Sequence, residues 1–374
     1  MPQPRLTALA AALAAVVGTA AYVAVSAPGG EPLAAAAGTF TVANVSTSEP
    51  TPTATGSSTA VPSAPLPKAL VAVSVAEVWG GRHKVRPYDT PALQRPAHIG
   101  AWLRDMTFFQ RSHLFKRLAT QVKFGEQVEV LGTWGDLTHI QIPDQTGGRF
   151  PDGIIGWIAS RQLVAQPADW DIDSPVATVT DGFATVSRTV AGRDRPLTVS
   201  YATSLPVLNV GKHQVVVAIP GPVDRGTLPR NAVSVHQPGT PAIAPSARQV
   251  LAQAQRFLGL PYLWAGMSAW GYDCSGLTSA VYSQLGITLP RDAADQSLVG
   301  KQIPRSQLRV GDLVFFSHTP KRGDIHHVGI YAGHGKLLDA PYTGARVEIV
   351  SVRHSYLNNE YWGASRPLSL LPRS

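Results

Sequence analysis

The sequence of 374 residues contains only one cysteine, Cys274, which excludes a disulfide bond within the chain and a cysteine-rich metal site. It also lacks two histidines spaced to bind zinc from one helix face, and it lacks the GxxxxGKS loop that holds nucleotide phosphates. His318, His326 and His334 have no metal-ligand partners that the sequence reveals. We therefore expect a protein that needs no metal and no other cofactor.

Charged residues are also scarce, at 15% of the chain, and no run of five lysines or arginines occurs. No basic helix is interleaved with aromatic residues, so the pattern does not predict a nucleic-acid partner. The formal net charge of +8 indicates either a solvated basic face or anionic surroundings, such as acidic lipid or an anionic cell wall.

The first residues determine the expected compartment. Arg5 is followed by the uncharged, mainly apolar residues 6–25 and then by small residues, which is the pattern of a signal peptide. The stretch is also long enough to remain as a membrane anchor, although its many alanines make it weakly hydrophobic and favour cleavage. Residues 1–27 therefore predict an extracytoplasmic protein that is secreted, associated with the cell wall or anchored in the membrane.

Two small β domains are expected after this segment. Residues 28–68 are rich in alanine, proline, serine and threonine and predict a disordered linker. Short strand-like runs follow at 69–168, with a helical insertion at 98–118. Their stretch GEQVEVLGTWGDLTHIQIPDQ resembles the bacterial SH3-like modules of cell-wall enzymes. A second set of short runs at 174–238 suits another SH3-like barrel.

From residue 243 onward the pattern becomes α+β. Apolar residues of 246–258 recur on one helical face, and Ser246 is placed to cap this helix. A second, amphipathic helix is expected at 274–285. The strand-like runs that follow lie at 312–316, 328–331, 336–339 and 346–349.

The single cysteine stands where a glycine-containing loop turns into the second helix. A lone cysteine in an exported protein is either a buried inert residue or a reactive thiol. The start of a helix presents free N–H groups and positive potential, which favour the thiolate and can hold an oxyanion. This position favours the reactive alternative for Cys274.

A base for such a thiolate is expected on a β-hairpin. On a strand, His327 shares a face with Gly329 and Tyr331, whereas His326 points the other way. If the hairpin is symmetric about Gly333, in the turn at 332–336, His327 lies directly opposite Asp339, which can hold the imidazole in one tautomer. Cys274, His327 and Asp339 then form a catalytic triad. The alternative is a core cysteine, a surface histidine and a strand-edge aspartate.

Three stretches of residues 243–368 carry a family resemblance: YLWAGMSAWGYDCSGLTSAVYSQLGITLPRDAADQ, VGDLVFF and HHVGIYAGHGKLLDAP. They resemble the NlpC-type cell-wall peptidase family, which has a papain-like cysteine hydrolase fold. The resemblance implies that Cys274 is the nucleophile and His327 the base. The third polar residue is usually histidine in that family, so Asp339 is a departure that keeps the orienting role.

The whole layout resembles a subgroup in which two SH3-like modules precede the catalytic domain. That resemblance implies that Tyr262, Asp273 and Ser275 hold the free amine of L-Ala in a stem peptide, and that the γ-D-Glu–diamino acid bond is cleaved. Trp264 lines the substrate groove or belongs to the core. A further departure is Ala293, where serine is common.

The fold class expected from the sequence is multidomain, with two small all-β SH3-like barrels followed by an α+β papain-like catalytic domain. Its substrate is expected to be peptidoglycan or a muropeptide, with lysine or diaminopimelate as the diamino acid; the oligomeric state stays open. An amidase or acyltransferase of the same fold and a catalytically inactive wall-binding protein are the alternatives. We also expect Arg291 and Asp292 to form a structural ion pair.

Overall fold

The computed structural model describes residues 67–170, 173–319, 322–353 and 356–371. The predicted signal peptide or anchor at 1–27 and nearly all of the predicted linker lie outside these residues. Among the residues described, no helix is long and apolar enough to cross a membrane.

The first β-rich region is a seven-stranded antiparallel sheet with the spatial order β3-β2-β6-β5-β4-β1-β7. The connection between β2 and β3 holds three short helices, at the place of the predicted insertion: α1 (Thr90–Leu93), α2 (Ile99–Asp105) and α3 (Phe108–Ser112). The strands are β1 (Lys68–Val71), β2 (Val75–Trp79), β3 (Leu118–Lys123), β4 (Gln127–Trp134), β5 (Leu137–Ile142), β6 (Ile154–Ala159) and β7 (Leu163–Ala165).

Burial alternates along β5 and shows that one face of this sheet packs against the core. Thr138, Ile140 and Ile142 are buried, whereas the residues between them are partly exposed. Successive side chains of a strand point to opposite faces, so only one face of β5 packs inward.

The second β-rich region contains a five-stranded sheet with the order β15-β14-β13-β8-β16 and two separate two-stranded pairs, β9 with β12 and β10 with β11. Buried valines and leucines such as Val199, Leu205 and Val217 form its core. The strands are β8 (Val176–Val179), β9 (Phe183–Val186), β10 (Thr189–Val190), β11 (Arg193–Asp194), β12 (Leu197–Ser200), β13 (Ser204–Val210), β14 (Gln214–Ala218), β15 (Arg225–Pro229) and β16 (Val233–His236).

The prediction of two barrels is not confirmed by these sheets. In the parts of the chain that are described, β3 and β7 end the first sheet, and β15 and β16 end the second. In the second region, a single bridge between Ser187 and Thr227 is what joins the β9–β12 side to β15. What is shown is a β-rich region of several sheets that precedes a mixed domain.

The mixed domain has a six-stranded antiparallel sheet with the order β19-β24-β20-β21-β22-β23. Its helices are α4 (Ala247–Gln255), α5 (Cys274–Gln284) and α6 (Ala293–Gln296), and the short hairpin β17 (Met267–Ser268) and β18 (Gly271–Tyr272) precedes α5. The sheet strands are β19 (Lys301–Gln302), β20 (Leu313–Thr319), β21 (Arg322–Gly333), β22 (Lys336–Asp339), β23 (Glu348–Ser351) and β24 (Tyr361–Arg366).

Helix α5 is the centre of this domain. Asp273 caps its start by accepting a hydrogen bond from the Gly276 N–H at 2.7 Å. The sequence predicts an amphipathic helix, yet every residue of α5 except Ser283 is buried or nearly so. The reason is that α5 packs against β21 of the sheet on one side and against the β17 hairpin, which contacts β3, on another.

Buried polar contacts join the β-rich regions to the mixed domain. Gln121 of β3 accepts hydrogen bonds from the Met267 N–H and the Ser268 hydroxyl, both at 2.8 Å. Its amide nitrogen donates to a Glu77 carboxyl oxygen at 2.7 Å. From the second region, Ser200 accepts from the Ala269 N–H at 2.8 Å.

Glu77 is a buried acid within this network. Its Oε2 atom has no hydrogen-bond partner among the described residues. Burial raises the pKa of Glu77 from 4.5 to about 8, more than the hydrogen bond from Gln121 lowers it. The folded protein therefore holds this proton over a pH range in which the unfolded chain releases it.

We predict that Glu77→Gln reduces the pH dependence of stability. With a raised folded pKa, the contribution of Glu77 is fully present below pH 4.5 and is lost as pH rises through about 8. Glutamine stays neutral, so the fall in Tm between pH 5 and pH 8 shrinks in thermal unfolding scans. Glu348→Gln, at an exposed position, is the matched control. A Glu77→Gln protein with the wild-type pH profile would contradict this assignment.

Candidate active site

A cleft of about 800 Å³ opens beside the start of α5. The first β-rich region contributes Phe115 and Ala119 to its wall, and β21 contributes His326 and His327. The loop before α5, α5 itself and the segment around α6 supply the remaining sides, with these residues among them: Tyr262, Trp264, Asp273, Cys274, Ser275, Arg291 and Ala293.

Cys274 is the first residue of α5 and is 8% exposed. The close approach of this helix to the preceding loop depends on Gly276, because a Cβ there would lie 2.0 Å from the Gly266 carbonyl oxygen. The first turn of α5 therefore packs closely against the loop. Cys274 lines the cleft beside the backbone amide groups of that turn.

His327 is buried, and its Nε2 atom lies 2.6 Å from Oδ1 of Asp339. Burial alone would lower the pKa of His327. The charge of Asp339 and the neighbouring Cys274 outweigh burial and hold this pKa well above 6.5. An imidazolium that lies between a carboxylate and a thiol can stabilise the thiolate through its positive charge.

The expected register of the hairpin is wrong, although the expected contact is present. Ile330 pairs with Leu338, which brings Asp339 level with Gly329 and not with His327. The register shifts between Tyr331 and Gly333, so the hairpin is not symmetric about its turn. His327 reaches Asp339 diagonally, and cross-strand diagonal neighbours are within reach of a side chain as long as histidine.

The prediction that His326 points away from His327 is also wrong. Phe316 pairs with His327, and the next residue, Ser317, pairs with Ile325, so His326 is an extra residue in β21. Such a β-bulge breaks the alternation of the strand and redirects a side chain. As a result, both histidines line the cleft.

Arg291 is bound to Asp273 and not to Asp292, which corrects the expected ion pair. Its two terminal nitrogens lie 3.2 Å and 2.6 Å from the two carboxylate oxygens of Asp273. Its remaining contacts are with the Ser275 hydroxyl at 3.0 Å and the Thr120 hydroxyl of β3 at 3.0 Å. Nothing in the local sequence links Arg291 to partners so far away along the chain.

The polar end of the cleft combines four of the residues named from the sequence. Asp273 and Ser275 lie beside Cys274, and Tyr262, which is 6% exposed, lines the same cleft. Burial, followed by the nearby Cys274, raises the pKa of Tyr262 well above 10, so the hydroxyl keeps its proton. Both oxygens of Asp273 already accept hydrogen bonds from Arg291.

Trp264 both lines the cleft and packs against the first β-rich region. Its indole N–H donates to the Leu118 carbonyl at 3.2 Å, and its ring meets Phe115 edge to face with centroids 4.6 Å apart. The two alternatives given for Trp264 are therefore not exclusive. Ala293, where a serine is common in the family that the sequence resembles, lines the same cleft without a hydroxyl.

Known proteins resemble this chain over the mixed domain and over most of its remaining length. Residues 259–366 match the model of the NlpC/P60 family. A gamma-D-glutamyl-L-lysine dipeptidyl-peptidase from Bacillus cereus is 33% identical over 304 residues, covering 80% of this chain and 91% of that protein. An enzyme of the same name from Bacillus subtilis is 33% identical over 303 residues, covering 79% of this chain and 97% of that protein.

The solved structures give the same result. The crystal structure of an NlpC/P60 family protein from Bacillus cereus matches with a TM-score of 0.77 and 32% identity, covering 80% of this chain and 99% of that one. The similarity therefore includes the β-rich regions as well as the mixed domain.

We predict that Arg291→Ala strongly destabilises the fold. Removing the guanidinium leaves the Asp273 carboxylate buried without its cation, which costs about 3–5 kcal/mol of unfolding free energy. Chemical denaturation measures this loss. Arg161→Ala is the matched control, because Arg161 forms an exposed ion pair with Asp136 and its loss should change stability little. Equal effects of the two substitutions would show that the buried pair is not stabilising.

Proposed function

The chain belongs to the NlpC/P60 family of cysteine peptidases, and we propose that it hydrolyses the γ-D-Glu–diamino acid bond of peptidoglycan stem peptides. The relatives that match most of its length are named gamma-D-glutamyl-L-lysine dipeptidyl-peptidases. The observation that carries the proposal is the placement of Cys274 at a helix start, beside a histidine that is paired with a buried aspartate.

In the proposed mechanism, the Cys274 thiolate attacks the carbonyl carbon of the γ-D-Glu residue. Backbone N–H groups at the start of α5 stabilise the oxyanion that forms. His327, held by Asp339, gives its proton to the leaving amine of the diamino acid and then activates the water that hydrolyses the acyl-enzyme. The raised pKa of His327 is consistent with an imidazolium that donates this proton.

The amine of an N-terminal L-Ala is proposed to bind at the polar end of the cleft. Asp273 supplies the negative charge, and the hydroxyls of Ser275 and Tyr262 supply hydrogen-bond acceptors. Because Arg291 already engages both oxygens of Asp273, the ammonium group would share this carboxylate with the guanidinium. The hydroxyls therefore carry more of the recognition than the sequence alone indicates.

The first β-rich region is proposed to restrict the substrate to short free stems. Phe115 and Ala119 lie in the wall of the cleft, and Trp264 is hydrogen-bonded to this region at the Leu118 carbonyl. These contacts favour a narrowed groove over a separate wall-binding role. We propose further that 69–168 and 174–238 are SH3-like domains and that 243–368 is the peptidase domain.

The proposed place of action is outside the cytoplasm. A stem-peptide substrate is found where the cell wall is built and degraded, and residues 1–27 carry the signal or anchor pattern. Of the alternative functions, the inactive wall-binding protein agrees least with the cleft, because Cys274, His327 and Asp339 are brought together there.

Asp339→Ala is predicted to lower kcat by roughly 10²-fold or more while KM changes little, because His327 loses the carboxylate that raises its pKa and orients its ring, whereas the substrate contacts stay in place. Asp339→His should retain much of the activity, since a histidine can also orient His327. Steady-state hydrolysis of L-Ala-γ-D-Glu-L-Lys and of its diaminopimelate analogue measures both variants. Cys274→Ala defines the inactive baseline. Wild-type kcat in Asp339→Ala would remove Asp339 from the mechanism.

Acetylation of the L-Ala amine of the same peptide is predicted to reduce kcat/KM by at least about tenfold, because an amide cannot form the charged contact with Asp273. Mass spectrometry of the products from the free and blocked peptides measures the ratio. Equal rates on the two peptides would contradict the proposed amine site while leaving the nucleophile assignment intact.

A further inference from the structure

Three side chains with metal-binding atoms meet at the wall of the cleft, next to the residues of the proposed mechanism. They are His318, His326 and Glu360, called here the His/Glu cluster, and their ligand atoms all lie within 4.8 Å of one another. His326 Nε2 lies 3.1 Å from one Glu360 oxygen, and His318 Nδ1 lies 3.6 Å from the other.

The β-bulge in β21 is what makes the cluster. In a regular strand, the side chain of His326 would point away from the face that His327 occupies. The bulge at His326 removes this alternation. A second irregularity lies alongside, because Phe316 pairs with Tyr361 while Phe315 pairs with Gly363. Glu360, the last residue of the 3-10 helix Tyr356–Glu360, directly precedes β24 next to this irregularity. The chain thus departs from regular strands at the point where the three side chains converge.

We propose that the His/Glu cluster binds a divalent transition-metal ion, for which Zn²⁺ is the best match. Two imidazole nitrogens and one carboxylate oxygen are ligands that zinc accepts in a tetrahedral site with one open position. The exposed side of His318, which is 76% exposed, leaves room for water at that position. Calcium and magnesium prefer oxygen ligands and fit this set poorly.

The present geometry needs a small adjustment to hold the ion. Zinc–nitrogen bonds of about 2.0–2.1 Å in a tetrahedron separate the ligand atoms by roughly 3.3 Å. The two contacts to Glu360 are close to this value. The imidazole rings of His318 and His326 are stacked, with centroids 3.9 Å apart and planes 9° apart, so one ring must tilt to share an ion. His318 is free to do so, because its exposed side chain has little packing to lose.

Metal binding would join three separate segments of the sheet. His318 lies in β20, His326 in β21, and Glu360 just before β24. His327 follows His326 directly, so an ion at the cluster would stiffen the strand that carries the proposed base. The ion has no chemical step in the proposed mechanism, and this inference stands independently of the proposed substrate.

The first test measures metal binding directly. Zn²⁺ is titrated by calorimetry, and Co²⁺ by its visible absorption, into the full chain carrying Cys274→Ala, so that the thiol cannot act as a ligand. His318→Ala and Glu360→Gln in that background should each weaken Zn²⁺ binding by at least about tenfold. His334→Ala, at an exposed histidine in the turn between β21 and β22, is the matched control and should bind like its parent.

A second readout separates a specific site from scattered surface binding. Zn²⁺ should raise the Tm of the Cys274→Ala protein and, at the same Zn²⁺ concentration, raise the Tm of its Glu360→Gln derivative much less, because the stabilisation follows the affinity of the folded state for the ion. Absence of Zn²⁺ binding in the parent, or binding that His318→Ala and Glu360→Gln leave unaltered, would overturn the proposal. A chelator should return the Tm of the parent to its metal-free value.

Discussion

The buried ion pair between Arg291 and Asp273 is the interaction on which the cleft depends. Two charges in the interior are favourable only when their hydrogen bonds are satisfied, and here each partner makes several. Asp273 caps the helix that begins at Cys274, and Arg291 also bonds Thr120 in the first β-rich region. One guanidinium therefore connects the cap of α5 to β3 of the first β-rich region.

The first β-rich region consequently forms part of the cleft, and the second region contacts the segment that leads into α5. Gln121 accepts a hydrogen bond from β17 of the hairpin before α5, and Ser200 accepts one from the Ala269 N–H, just after β17. The indole N–H of Trp264 donates to the Leu118 carbonyl. The match to whole relatives over most of their length agrees with this arrangement. A mixed domain without the first region would lack Phe115 and Ala119 from its groove, and Arg291 would lose one of its partners.

Two irregularities in the six-stranded sheet determine where the side chains of His326 and His327 lie. The shift before Gly333 lets His327 meet Asp339 on a diagonal, and the bulge at His326 turns two adjacent histidines into the cleft. Local patterns predicted the bounds of β22 and the central part of β21 at 328–331, because alternation and turn residues are local signals. The bulge was not predictable, since it is set by the register in which β21 pairs with β20, and the alternation of one strand does not specify that register.

By itself, the sequence determined the family and the class of chemistry, and it supplied the candidate residues for the proposed mechanism. A lone cysteine after Asp273 at a helix start and a hairpin with His327 and Asp339 are local features, and the family resemblance was confirmed by the comparisons. Only the tertiary structure decided the partner of Arg291, the exact register of the hairpin and the grouping of His318, His326 and Glu360. Burial, strand pairing and the packing of whole elements select these contacts, and no local sequence pattern specifies them.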